Sequence, residues 1–90
     1  MLYRIITEDK GIPKLRLQLE QIVGKYFDGF TVFEATGYWK GARENSLVFE
    51  ISVPDKTALY AVVNAADEIK TVNKQEAVLV QKISSNQIFV

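Results

Sequence analysis

The order of periodicities along the chain predicts an α+β sandwich, with two helices laid on one face of a four-stranded antiparallel sheet. Three observations carry this expectation. Runs rich in β-branched and aromatic residues occur at Leu2–Thr7, 30–39, 46–53 and 75–83, each of strand length. Two segments with apolar residues at helical spacing separate the first run from the second and the third from the fourth. The second and third runs are joined only by a short polar loop, as in a hairpin. The resulting order, β-α-β-β-α-β, is the split-βαβ or ferredoxin-like pattern. Ninety residues with 48% hydrophobic content suit one domain over residues 1–90, large enough for a two-layer core.

Taken in order, Leu2–Thr7 reads as a buried strand closed by the polar break Glu8-Asp9-Lys10-Gly11. Pro13 suits a first helical turn, and Leu15, Leu19, Ile22, Val23 and Tyr26 follow at helical spacing. The helix is expected to end near Phe27, because Asp28-Gly29 is turn chemistry. In the hairpin, Phe33 and Ala35, with Thr31, are expected on the core face beside Leu47, Phe49, Ile51 and Val53. Val32, Glu34, Val48 and Glu50 then share the other face. Asp55 is the expected N-cap of a second helix with Leu59, Val62, Val63, Ala66 and Ile69 inward. A fourth strand over 75–83 that includes Leu79 in the core, a turn at Ser84–Gln87 and a short fifth strand at Ile88–Val90 complete the expectation. A sheet face that mixes valines with charges, and an apolar terminal tripeptide, call for burial against further copies of the chain.

Composition narrows the function classes. Eleven basic and eleven acidic residues cancel, so nothing favours a nucleic-acid polymer or an anionic membrane as partner. The chain has neither cysteine nor histidine, which removes the thiol nucleophile and the commonest zinc ligand and general base. No metal and no cofactor is expected. The N-terminal residues lack a signal-peptide core and no run approaches a membrane span; a cytoplasmic protein is the expectation.

Chemistry concentrates in the hairpin loop, where Gly37-Tyr38-Trp39-Lys40-Gly41 leads to Arg43, Glu44 and Ser46. The glycine spacing fits neither the phosphate loop nor the dinucleotide fingerprint. It does offer an aromatic surface, Tyr38 and Trp39, with Lys40 and Arg43 near enough to meet a carboxylate or phosphate. Glu44 and Ser46 stand where the loop re-enters the sheet, with Glu44 suited to an amine, a ribose hydroxyl or a sulfonium. Gln75 and Glu76 open the last strand beside an expected inter-subunit cleft. The alternative is a hairpin tip whose Trp39 covers the end of the core and whose charges are solvated. Glu34 and Glu50 on one face would suggest a glycosidase carboxylate pair, but nothing else supports a sugar cleft.

Thr36-Gly-Tyr-Trp-Lys-Gly-Ala42, an acid before the next strand, Asp55-Lys56 opening a helix, and Val78-Leu-Val80 with Lys82 resemble the core of the bacteriophage S-adenosylmethionine hydrolases, now understood as lyases. The likeness covers roughly residues 30–83. It implies a trimer of ferredoxin-like subunits that binds S-adenosylmethionine between chains through an aromatic hydroxyl, a glutamate and a glutamine. The substrate's own carboxylate attacks, releasing methylthioadenosine and homoserine lactone. Carried onto this chain, Trp39 stands nearest the family's tyrosine, with Tyr38 beside it to supply the hydroxyl, and Glu44 stands nearest the glutamate. Ser84 occupies the glutamine's approximate place, with Gln81 and Gln87 nearby. The chain is also similar to a small bacterial domain family of the same fold, on Thr31-Val32, Gly37, Trp39, Glu44, Ser46 and Gln75–Val80. Its architecture resembles the PII signalling proteins, trimers that bind adenine nucleotides between subunits, although their long nucleotide loop is absent. These likenesses imply a homotrimer with an adenosyl or nucleotide ligand in each cleft, Glu44 and Tyr38 as catalytic residues, and Trp39, Lys40, Arg43, Ser46, Gln75 and Glu76 as ligand contacts.

Overall fold

Alternation along the first strand, β1 (Leu2–Glu8), sorts its residues between two environments: Tyr3, Ile5 and Thr7 are buried, and Leu2, Arg4 and Ile6 between them are half-buried. The computed structural model describes residues 1–54 and 58–83. Helix α1 (Pro13–Tyr26) follows, then β2 (Thr31–Trp39), β3 (Ala42–Ser52), helix α2 (Leu59–Val72) and β4 (Leu79–Ile83). The sheet order is β2-β3-β1-β4, and every neighbouring pair is antiparallel. This is the ferredoxin-like α+β arrangement predicted from the sequence. The expected N-cap Asp55, the turn at Ser84–Gln87 and the strand at Ile88–Val90 lie outside the described residues.

Both helices cover one sheet face. Leu19 and Val23 from α1, and Val62, Ala65, Ala66 and Ile69 from α2, pack with Tyr3, Ile5, Leu47, Phe49 and Ile51 into one core. Pro13 starts α1 because its ring fixes a helical φ and its missing N–H falls where no helical bond is made. Ala65 and Ala66 remove side-chain bulk where α2 meets the sheet. Phe49 is the centre of the arrangement, fully buried and tilted against the Phe30 ring at 6.0 Å.

Register corrects part of the expected core. Val32 lies opposite Phe49 and Phe33 opposite Val48, and directly opposed residues share a face. Val32 therefore turns toward the helices, while Phe33 is on the open face and exposed. The phase of β2 follows Phe30 and Val32, which reach Phe49, rather than the bulk of Phe33. Glu34, opposite Leu47, is on the helix side, where it accepts a hydrogen bond from Arg16 at 2.8 Å. Glu50 is on the other face, 3.4 Å from Arg4, so the two carboxylates do not form a pair. Leu59, Val63 and Leu79 are exposed rather than core, and Leu15 is half-buried. In α2, Ala65 takes the inward position assigned to Val63.

Among the described residues, the face away from the helices carries an apolar row running across all four strands. Phe33 opposes Val48, Val48 opposes Ile6, and Ile6 opposes Leu79. A polar row of Thr31, Glu50, Arg4 and Gln81 lies beside it.

The helices are tied together at their outer surface. Glu68 of α2 accepts from the Tyr26 hydroxyl at 2.7 Å and from Lys25 Nζ at 2.6 Å. These donors, Lys25 first and then Tyr26, hold the Glu68 carboxyl below its ordinary value. A carboxyl depressed in the folded state stabilises it above the unfolded carboxylate pKa of about 4.3, and that contribution is lost as pH falls through the lower folded value. Thermal melts of wild type between neutral pH and about pH 3 are expected to fall more steeply than those of Glu68→Gln. Parallel curves would show that the cluster contributes nothing to acid sensitivity.

Candidate functional site

The site begins where β1 ends. Glu8 pairs with Ser46, but the β2–β3 ladder continues from Ala35 opposite Ser46 to Trp39 opposite Ala42. Beyond Asn45, whose carbonyl still accepts from the Asp9 N–H at 2.9 Å, this two-stranded arm extends past the rest of the sheet. Its turn is tighter than the expected polar loop. Only Lys40 and Gly41 separate the strands, with φ of 49° and 79°, the two positive values that a primed hairpin turn requires. Such a turn matches the right-handed twist of the strands, and glycine adopts that backbone without strain. Gly41→Ala is expected to cost about 1 kcal/mol, read as a lower urea midpoint with an unchanged slope.

At the end of this arm Tyr38 and Trp39 remain 73% and 65% exposed, which excludes the alternative that Trp39 caps the core. Lys40 Nζ lies 5.8 Å from the centre of the Trp39 ring, within reach of a cation–π contact.

The facing wall is built by the end of α2. The Gln75 N–H bonds the Lys70 carbonyl at 3.1 Å and the Lys74 N–H bonds the Thr71 carbonyl at 3.3 Å, the paired bonds of a Schellman ending. Lys74 holds the left-handed position usually given to glycine, with φ of 53°. The chain is thereby turned across the end of β1 before it pairs as β4. For this reason β4 starts at Leu79 instead of Gln75.

A buried polar network fixes that turn. Asn73, fully buried, donates through Nδ2 to Thr7 Oγ1 at 3.0 Å, to the Glu8 carbonyl at 2.9 Å and to Gln75 Oε1 at 2.7 Å. Gln75 Oε1 also accepts from the Thr7 hydroxyl and from the Glu8 N–H, while Lys10 Nζ donates to the Asn73 carbonyl. Sequence reading missed Thr7 and Asn73. An asparagine at a helix end was a visible signal, but its partner lies 66 residues away.

Between arm and turn lies a groove of about 770 Å³, within the range of small-molecule sites. Ile6 and Leu79 give it an apolar floor, Gly37, Tyr38, Trp39, Glu44 and Ser46 one wall, and Lys74–Val78 the other. The structure thus brings together Tyr38, Trp39, Glu44, Ser46, Gln75 and Glu76, all predicted from the sequence. Gln75 has its carbonyl oxygen committed to β1 and serves as a positioning residue. Lys40 is at the arm tip, outside the groove lining, and Arg43 lines a separate recess with Asp9, Glu34, Thr36 and Asn45. Around the groove Glu8, Glu44 and Glu76 stand against Lys74, and none of the four is in an ion pair among the described residues.

Among the described residues no group of His, Cys, Asp or Glu is placed to hold a metal ion, and no helix is long and apolar enough to cross a membrane. No family model matches the chain, and no curated protein does. Among solved structures the chain is similar to a de novo designed protein, Foldit4, at 20% identity over 94% of each chain with a TM-score of 0.53. At that identity the likeness bears on the fold.

Proposed function

We propose that this protein is a homo-oligomer, a trimer, that binds a small adenosyl-type ligand in the groove between the hairpin arm and the α2–β4 turn. The observation that carries this reading is the convergence of Trp39, Glu44, Ser46 and Glu76 on one concave site, although they come from distant parts of the chain. The exposed Trp39 face suits an adenine ring or a sulfonium, since it attracts both a π-system and a cation. Glu44 suits the ligand's amine or ribose. An excess of carboxylates around the groove favours the cationic sulfonium of an adenosyl compound over the phosphates of a nucleotide. Phe33 and Leu79, the exposed ends of the apolar row, support assembly, because they gain by leaving water.

A second reading, an S-adenosylmethionine lyase, is favoured by the presence of both Tyr38 and Glu44 in the groove lining. In that reaction the substrate's carboxylate oxygen bonds to its own γ-carbon, the carbon–sulfur bond breaks, and its electron pair neutralises the sulfonium. Methylthioadenosine leaves and homoserine lactone remains, with no proton transfer needed from a histidine. Incubation with S-adenosylmethionine followed by mass spectrometry separates the readings. Methylthioadenosine supports the lyase, intact retained ligand supports the binding module, and neither outcome leaves a purely structural protein.

A further inference from the structure

We infer that the arm tip of one copy of this chain docks into the groove of the next. Charge complementarity commits the occupant to a second copy. The tip carries Lys40 and Arg43, the groove carries Glu8, Glu44 and Glu76 against the one cation Lys74, and among the described residues none of these six is in an ion pair. Carboxylates outnumber cations in the groove by three to one, which favours the cationic tip of an identical molecule as its partner. The contacting surfaces match in other respects. Exposed Tyr38 and Trp39 give the tip the aromatic and cationic composition of an interface centre, and Ile6 and Leu79 offer an apolar floor to receive it.

Because the cations of the tip, Lys40 and Arg43, lie outside the groove lining of their own chain, the contact is heterologous, and a rotation that closes it generates a ring. The groove opens on the sheet face that carries Phe33, Val48, Ile6 and Leu79, so arm docking and burial of that face belong to one assembly. It also completes the site described above: Lys40 and Arg43, which their own groove leaves out, arrive from the neighbour. That last consequence rests on the ligand-binding reading; the docking itself does not.

Sedimentation velocity at tens of micromolar protein, without ligand, tests the docking. Lys40→Glu with Arg43→Glu is expected to give monomer, as is Glu44→Lys with Glu76→Lys, and all four substitutions in one chain are expected to restore the wild-type mass. Because the chain has no cysteine, a second test avoids charge reversal. A mixture of Lys40→Cys and Glu76→Cys chains is expected to form a disulfide-linked heterodimer under mild oxidation. Monomeric wild type, unchanged mass in the double variants, failure of the fourfold exchange to reassemble, or no heterodimer in the mixture would each overturn the docking. None of these results depends on whether a ligand binds.

Discussion

Asn73→Leu is expected to lower the free energy of unfolding by about 3 kcal/mol, since each buried polar partner left unsatisfied costs about 1–3 kcal/mol. Leucine has the same branching and is the larger side chain, so the loss does not come from a cavity. It leaves the Glu8 carbonyl at the end of β1 without its Asn73 donor and takes one hydrogen bond each from the Thr7 hydroxyl and Gln75 Oε1, which still bond each other. In a domain of this size that is a melting point lower by on the order of 10–20 °C. Hydrogen exchange should also quicken first at Lys74–Val78, the segment the network holds. A change of less than about 0.5 kcal/mol, typical of surface positions, would mean that the turn is held by the Schellman bonds alone.

Trp39→Ala is expected to weaken ligand binding by roughly ten- to a hundredfold, the ~1–3 kcal/mol that stacking on an aromatic face supplies. Its effect on folding should be small, because the ring is 65% exposed at the end of an arm. The two predictions therefore point in opposite directions. Asn73 is expected to act on the site through stability, and Trp39 through contact with the proposed ligand, with little bearing on stability. Calorimetric titration with S-adenosylmethionine beside a thermal melt distinguishes them, and a Trp39→Ala protein that unfolds would assign the ring to the fold.

The fold was legible because its determinants are local. Pro13, the apolar spacing through Val23, and the alternation from Leu47 to Ile51 each state one element within a few residues. The phase of β2 was not, since Val32 and Phe33 are both good strand residues and only the partner Phe49 decides which faces inward. Leu59 and Val63 were misplaced for a related reason. Helical spacing allowed several inward arcs, and the one used places Ala65 and Ala66 against the sheet. In the site, the arm residues were legible because aromatic and charged side chains gathered at one hairpin turn. The facing wall was only half legible. Gln75 and Glu76 stood out as a polar pair, but their position depends on Asn73 reaching Thr7 across the fold, and no short-range pattern states that contact.

The groove as the ligand site is tested most directly by a two-dimensional ¹H–¹⁵N spectrum of the labelled protein titrated with S-adenosylmethionine. The expected result is saturable shifts at the amides of Gly37, Tyr38, Glu44, Ser46 and Glu76 and at the Trp39 indole N–H, with α1 unmoved. No shifts up to millimolar ligand, or shifts confined to the helices, would contradict it.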